Sequence, residues 1–476
     1  VHGLQGVWLP IPYNDGNGTN YVKATEYAKV RYTGEVWCPT TEAGVVIFRE
    51  ENGVPYISGN SAFWNISILQ KEYFESMFEG FCFPDGSRPE WESLDKLQRH
   101  FMQWFNKERE KALLTFPVVT AATIKKDGKI SDPAFEDFLC EELAAGNGFF
   151  VYMSDTADSL SSCCRLLSEL ADNSFSYSLG AGGVATGSKN VITLNLNRFV
   201  QDAHKQWQED TALDATVPGF MEYLEQELKR EVRILHKFQM GFEDLFQELK
   251  AQNMLPVFEA DYISLEKQFL TIGINGMLES AEFLGIKAGN NPEYKEYLQR
   301  LLKVIYTTNR EGAAEYGVKF NTEYVPAENL GPKNYAWDKK DGYWVPDTRE
   351  CYNSYFYPVE DPSCTLGDKF ILHGEEITRY LDGGSALHLN LADYPSVEGF
   401  RKLLRLMAKT GCNYLGTNVR VTSCKACGKI SKRTFDTCPA CGSTNVVHAT
   451  RVIGYLKEVA SFSSARKQEA SQRIYH

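Results

Sequence analysis

The sequence predicts an α/β protein with mostly parallel strands. Two observations carry that expectation. Strand-like and helical segments alternate along the chain, and several strand-like segments are short apolar runs of the kind buried on both faces of a parallel sheet. A third is composition: 476 residues, 43% hydrophobic and 24% charged, suit a globular chain with a sizeable core rather than a fibre or a disordered tract. At roughly 150 residues per domain this length suggests about three domains, or one large barrel with additions.

The elements follow in order. Residues 1–60 are rich in Gly, Tyr, Val and Thr and contain the turn signal Asn14-Asp15-Gly16-Asn17-Gly18, so short strands and loops are expected. A helix is expected over 88–114, where Leu94, Leu97, Phe101, Trp104 and Phe105 recur mostly at spacings of three or four. A buried strand over 114–120, a helix over 135–145 and a second buried strand over 149–153 come next. A Gly-rich loop at 180–187 leads to a strand over 191–196, then to two long polar helices over 198–212 and 218–252. A strand over 269–274 runs into another helix, 320–365 reads as a turn-rich aromatic segment, and a helix is expected over 396–410. There is no internal repeat.

Charge and hydropathy exclude some functions. No run of about 18 apolar residues occurs, so no membrane span is expected and the chain reads as cytoplasmic. The net charge is −12, but residues 401–476 carry 14 Lys/Arg against 3 Asp/Glu, a balance of +11. The first 400 residues therefore carry −23, a surface that repels nucleic acid. A basic tail on an acidic body implies either a partner or docking of the tail on its own body. No signal peptide is visible, and the chain opens at Val1 rather than Met, which suggests processing or a longer parent chain.

The twelve cysteines include two CxxC pairs and one adjacent pair, a pattern of metal binding and thiol chemistry in a reducing compartment. Cys424-Lys425-Ala426-Cys427-Gly428 and Cys438-Pro439-Ala440-Cys441-Gly442 form two knuckles. Each knuckle brings two thiolates to one ion, and the glycine after it permits the tight turn. Four thiolates suit a closed, structural zinc site, with an iron–sulfur cluster as the minor competitor. The spacing specifies the metal and not the function.

Three other features bear on chemistry. In Ser162-Cys163-Cys164-Arg165 the cysteines are either small buried fillers or a reactive pair whose thiolate character Arg165 favours. The loop Gly182–Lys189 approaches the phosphate-binding GxxxxGK[ST] pattern but has Ser188 where lysine is needed, so it is either a backbone nest or a flexible loop, and no ATPase loop. Gly454 interrupts the apolar run Arg451–Leu456, where a bulge or turn is the default reading. The eight histidines are scattered without ligand spacing.

In order along the chain, these pieces resemble the anaerobic (class III) ribonucleoside-triphosphate reductases, which are glycyl-radical enzymes. The resemblance rests on Phe63-Trp64-Asn65-Ile66-Ser67, Phe116-Pro117-Val118-Val119-Thr120, Ser162-Cys163-Cys164-Arg165-Leu166, Thr186-Gly187-Ser188 leading to Asn195, the four cysteines, and Arg451-Val452-x-Gly454-Tyr455-Leu456. It implies a glycyl-radical-type α/β barrel, ten-stranded in the family, with a C-terminal zinc ribbon and glycyl-radical loop. The implied organisation is a poorly matched segment 1–60, a catalytic barrel 61–410, the four-cysteine zinc site 411–445, and the radical loop and tail 446–476.

The same resemblance implies that Gly454 stores a radical installed by a radical-SAM activating enzyme. It implies a thiyl at Cys163 or Cys164, with Cys164 slightly favoured, and ribose contacts from Asn65, Gly187, Ser188 and Asn195. The implied substrates are ribonucleoside triphosphates, reduced to deoxyribonucleotides with formate or a thioredoxin-type protein as reductant, by a homodimer under allosteric control. Zinc would anchor the radical loop, and Lys429, Lys432 and Arg433 would help it meet the activase. Residues before 61 do not match, the family's second catalytic cysteine has no clear counterpart in Cys38 or Cys82, and Ile453 and Phe462 depart from common family residues. The alternatives are a formate-lyase type of glycyl-radical enzyme, which lacks the four-cysteine site, and a zinc-ribbon nucleic-acid-binding protein, which the acidic body disfavours.

Overall fold

The computed structural model describes residues 11–14, 19–22, 45–48, 56–59, 65–111, 113–114, 117–157, 159–161, 167–169, 187–209, 219–255, 258, 264–325, 329–451 and 456–476. They fall in two units, one of residues 1–63 with 240–264 and one of 64–239 with 265–476. In the first unit β1 (Ile11–Asn14), β2 (Thr19–Val22), β3 (Val45–Phe48) and β4 (Tyr56–Gly59) form an antiparallel sheet in the order β2-β1-β4-β3. Asn14 pairs with Thr19, so β1 and β2 form an antiparallel pair on either side of the turn signal, among the short strands expected there.

The second unit is built on a ribbon of parallel strands: β5 (Asn65–Leu69), β6 (Val118–Lys126), β8 (Phe150–Ser154), β11 (Ser188–Asn195), β12 (Phe269–Asn275), β13 (Lys319–Tyr324), β14 (Leu387–Leu391) and β15 (Tyr414–Val419). Two short hairpin pieces accompany them: β7 (Lys129–Ile130), antiparallel to β6, and the pair β9 (Ser159–Ser161) and β10 (Leu167–Glu169). β11, β12 and β13 are parallel, β14 and β15 are parallel, and β5, β6 and β8 are parallel. A parallel bridge between Glu323 and Gly384, with Gly383 N–H donating to Thr322 O at 2.7 Å, joins β13 to the segment that enters β14. The two parallel groups meet antiparallel where Gly416 of β15 faces Phe150 of β8. The result is an ordered ribbon β11-β12-β13-β14-β15-β8-β6-β5 among the described residues.

Most strands pair an apolar face with a more polar one; on β6 and β8 the second face is itself largely apolar, with Val118, Ala122, Phe150 and Tyr152 in a second cluster. Val119, Ala121, Val151, Met153, Ile272, Ile274, Leu387, Leu389 and Leu415 belong to one apolar core under the helices. Burying each large aliphatic side chain there contributes about 1.5–3 kcal/mol. The helices that cover this face start as the sequence requires. Asp132 Oδ1 accepts from Ala134 N at 2.9 Å and Phe135 N at 3.1 Å at the start of Pro133–Ala144, and Asn291 Oδ1 accepts from Tyr294 N at 2.9 Å at the start of Pro292–Tyr316. The opposite strand face carries Thr120, Thr271, Asn275, Asn321, Glu323, His388, Asn390 and Asn418, all buried.

Two expectations need correction. The strand expected at 114–120 begins at Val118 and runs to Lys126, because Pro117 has no N–H to give to a ladder. The segment 320–365 is not only turns: it opens with β13 and continues into the helix Leu330–Lys340. Its strand Lys-Phe-Asn-Thr-Glu-Tyr reads as polar because the second face of the ribbon is polar.

The C-terminal tail docks on the body. His476 N–H donates to Asn390 O at 3.0 Å, Ala392 N–H donates to His476 O at 2.8 Å, and Ile474 N–H donates to Val359 O at 2.9 Å. In the helix Ser464–Gln472, buried Glu469 accepts from Arg473 at 2.7 and 2.9 Å and from Arg466 at 3.5 Å. Burial works against the Glu469 carboxylate, but the two guanidiniums outweigh it and hold its pKa below the usual range.

Candidate functional site

The polar face of the ribbon holds most of the residues proposed from sequence to contact a ligand. The hydroxyls of Ser188 and Thr271 lie 2.7 Å apart; Thr271 donates to Asn321 Oδ1 at 2.7 Å, and the Asn190 carbonyl, 3.0 Å away, also accepts from the Ser188 hydroxyl. This relay crosses β11, β12 and β13. Gly187 fastens its start, its carbonyl accepting from Phe269 N at 2.8 Å. On the other arm, Asn65 Oδ1 accepts from the Thr120 hydroxyl at 3.1 Å, and that hydroxyl lies 3.3 Å from the Tyr414 hydroxyl.

Asn195 is held differently. Its amide donates to both oxygens of Asp338, which also accepts from Arg198 Nε at 2.7 Å and the Tyr352 hydroxyl at 2.6 Å. The helix Leu330–Lys340 thus clasps the end of β11.

Three buried amide atoms on the polar face have no hydrogen-bond partner: Asn321 Nδ2, Asn275 Nδ2 and Asn418 Oδ1. An orphaned buried polar atom costs about 1–3 kcal/mol, so such atoms favour a ligand rich in hydroxyl or carbonyl groups. Sequence reasoning missed all three. The signal was the half-polar alternation of β13 and of Tyr-Leu-Gly-Thr-Asn-Val in β15, which a search for apolar runs passes over.

Cys163 and Cys164 lie outside the described residues. Ser161 of β9 pairs with Leu167 of β10, which brackets the interval 162–166 that contains them. Among the described cysteines outside the CxxC pairs, burial pushes Cys140, Cys351 and Cys412 up to about 12 and Cys364 up to about 11, so these thiols stay protonated. Cys38 is not among the described residues, and Cys82 is exposed.

The four CxxC cysteines come together beside a small sheet of β16 (Val421–Cys424), β17 (Ile430–Ser431), β18 (Val446–Arg451) and β19 (Leu456–Glu458), ordered β17-β16-β18-β19, with Cys424 ending β16 and the other three in the turns between strands. All four Sγ atoms lie within 4.8 Å of one another. Cys424–Cys441 and Cys427–Cys438 are each 3.7 Å apart. A tetrahedron with zinc–sulfur bonds of about 2.3 Å has edges of about 3.8 Å, so the pocket fits zinc.

The two knuckles share one geometry. Gly428 N–H donates to Cys424 O at 3.0 Å, Gly442 N–H donates to Cys438 O at 2.9 Å, and the glycines have φ of 76° and 72°. Ala440 N–H, 3.4 Å from Cys438 Sγ, pulls that thiol down to about 7.

β18 and β19 run antiparallel with Arg451 opposite Leu456. That pair brackets residues 452–455, which include Gly454 and lie outside the described residues. Arg451 is itself well fixed. It donates to Gly148 O at 2.6 Å, its guanidinium lies 4.4 Å from the centre of the Phe150 ring, and its carbonyl accepts from Arg473 at 2.9 Å. The strand that leads to Gly454 is therefore tied to the beginning of β8.

Comparison with known families decides the assignment. The anaerobic ribonucleoside-triphosphate reductase family matches residues 52–476. The chain belongs to that family. Among solved structures, an anaerobic ribonucleotide reductase is 26% identical with a TM-score of 0.74, over 88% of this chain and 65% of that one. The anaerobic ribonucleotide reductase from Thermotoga maritima in complex with dATP and CTP is 27% identical with a TM-score of 0.72, over 86% of this chain and 65% of that one. A glycyl radical enzyme from Archaeoglobus fulgidus, 12% identical with a TM-score of 0.54 over 86% of this chain and 57% of that one, shares the fold. No curated protein matches. The chain thus spans about 65% of the length of the two solved ribonucleotide reductases. No described helix is long and apolar enough to cross a membrane.

Proposed function

We propose that this chain carries the catalytic body of an anaerobic ribonucleoside-triphosphate reductase, with Gly454 as the radical residue and Cys163 or Cys164 as the thiol that meets the ribose. Family membership over 52–476 supports the activity. The observation that carries the residue assignment is the attachment of Arg451 to Gly148 and Phe150, which ties the strand before Gly454 to β8, the strand that leads towards the cysteine pair. The eight-strand ribbon, five parallel strands against three, suits the ten-stranded barrel of the family.

Within that reading the four cysteines hold zinc and fix the base of the β18–β19 hairpin, so that neither strand wanders. The polar strand face, with the Ser188–Thr271–Asn321 relay and the Asn65–Thr120–Tyr414 group, orients a ribonucleoside triphosphate. A radical at Gly454, installed by a radical-SAM activase, supplies, by way of the cysteine thiol, removal of the ribose 3′ hydrogen and loss of the 2′ hydroxyl as water, with two electrons from formate or a thioredoxin-type protein. Asn195, read from the sequence as a ribose contact, also holds the end of β11 in place through Asp338.

The barrel, the zinc site and the radical loop are proposed as successive modules of a cytoplasmic, allosterically regulated homodimer. The basic stretch around β17, with Lys429, Lys432 and Arg433, is the proposed face toward the activase. There Lys432 is engaged by Glu110 at 3.0 Å, and Arg433, largely exposed, by Asp393 at 3.4 Å.

The test is anaerobic activation followed by assay of deoxyribonucleoside triphosphates. Gly454→Ala should form neither radical nor product. One of Cys163→Ser and Cys164→Ser should form the radical and no product. Turnover by Gly454→Ala would overturn the reading.

A further inference from the structure

Three cations from three separate segments converge where the helix Pro133–Ala144 ends and β8 begins. Lys432, on the zinc hairpin, donates to Ala145 O at 3.0 Å. Arg109, just past the helix Trp91–Glu108, donates to Gly148 O at 3.1 Å. Arg451, on β18, donates to the same Gly148 O at 2.6 Å. The Ala145 carbonyl, at the helix C-cap, lies at the negative end of the helix dipole and so attracts a cation, whereas Gly148 O, three residues further on, is a loop carbonyl shared by two guanidiniums.

The glycines make room for this arrangement. A Cβ on Gly146 would sit 2.6 Å from Lys432 Cδ, and one on Gly148 would sit 3.2 Å from both terminal nitrogens of Arg109 and 3.5 Å from Arg451 Nη2. A side chain at Gly146 would displace the Lys432 stem, and one at Gly148 would push the Arg109 fork aside by a few tenths of an ångström.

We infer that the Ala145–Gly148 carbonyls form a clasp that positions the C-terminal hairpin on the body, with Arg451 and Lys432 as its positioning residues. Two long side chains on different strands of the zinc sheet, β18 and the stretch just after β17, reach the same four-residue turn. Arg451 adds the Phe150 face beneath its guanidinium, which fixes the plane of the fork as well as its charge. Arg473 grips the Arg451 carbonyl from the other side, so β18 is held between β8 and the C-terminal helix. Hydrogen bonds to a charged donor hold a register firmly yet exchange readily for water when they part. The hairpin is thereby anchored to the body by charged contacts at this edge. The link to catalysis rests on the proposed role of Gly454, whereas the clasp rests on the contacts alone.

The test is hydrogen exchange on the full-length chain, read over 446–451 and 456–458. Arg451→Gln should speed exchange there by about ten- to a hundred-fold. Arg451→Lys, which keeps the charge and loses the fork, should fall between that variant and the parent. Exchange in β6 and β12 and the metal content should not change. Unchanged hairpin exchange, or a rise spread evenly over every strand, would overturn the clasp. If Arg451→Gln does not fold, Lys432→Met, at the partly exposed end, gives the same local readout.

After anaerobic activation, the Arg451 variants should keep the radical signal and KM while kcat falls. If the parent chain never forms a radical but the variants still loosen the hairpin, the clasp stands and the Gly454 reading fails. If the radical forms and neither exchange nor kcat responds, the clasp fails alone.

Discussion

The side-chain amide of Asn195 donates to both carboxylate oxygens of Asp338, at 3.0 and 2.9 Å, although 143 residues separate them. Asp338 is fully buried and also takes Arg198 and Tyr352. Asp338→Ala would leave the Tyr352 phenol, the Asn195 amide and the Arg198 Nε–H without this acceptor. We expect a loss of about 3 kcal/mol in unfolding free energy, the low end for breaking a buried pair because Arg198 keeps Asp341. Denaturant unfolding checks it, and a loss under about 0.5 kcal/mol, the scale of an ordinary surface substitution, contradicts it.

The cysteine cluster predicts one zinc ion per chain, bound whether or not the protein is activated. Cys438→Ser should lose the ion, as should the parent chain under a strong chelator. Protease cleavage should then appear between 421 and 451, while the strands of the ribbon stay protected. Full metal content in Cys438→Ser would show that the ion is elsewhere.

Acid should loosen the C-terminus before it unfolds the body. Lys369 Nζ lies 2.7 Å from His476 Nε2 and 4.8 Å from the centre of the Tyr357 ring. Burial first, and the Lys369 charge second, hold His476 below its ordinary value of about 6.5. The docked tail thus prefers neutral His476, and the released tail takes up the proton more readily. Docking is then complete above about pH 6.5 and is lost as pH falls through the depressed value. The Ala392 amide, which donates to His476 O, reports it by exchange corrected for the intrinsic rate. His476→Gln, whose amide oxygen still accepts from Lys369, should remove the pH dependence, and an unaltered profile in that variant would refute the assignment.

Gly416→Ala tests the packing at the antiparallel junction. The new Cβ would lie 2.6 Å from Phe150 Cε1, on a ring that stacks on Tyr414 with centres 5.2 Å apart and supports Arg451. Overpacking of this kind costs about 1–3 kcal/mol. A variant as stable as the parent would mean the ring has room to move.

What could be read from the sequence was what repeats or punctuates. The CxxC-Gly pairs declare their shared ion through spacing alone, and the apolar runs around Val151 and Ile272 declare buried strands through composition. The strand β13 escaped because Asn321 and Glu323 face the polar side, where function rather than core packing chooses the residue. The Asn195–Asp338 and Arg451–Gly148 contacts were invisible because each joins segments far apart in sequence, and nothing local in either partner announces the other. The tail charge was legible, but whether it met a partner or its own body depended on His476, Arg473 and Asn390 lying together.

The most direct measurement exposes the anaerobically activated chain to oxygen and maps the fragments by mass spectrometry. A backbone Cα radical captures dioxygen and the chain breaks at that residue. Cleavage at Gly454 is expected, in proportion to the radical measured beforehand and absent from Gly454→Ala. An intact chain after proven radical formation, or a break at any other residue, would contradict it.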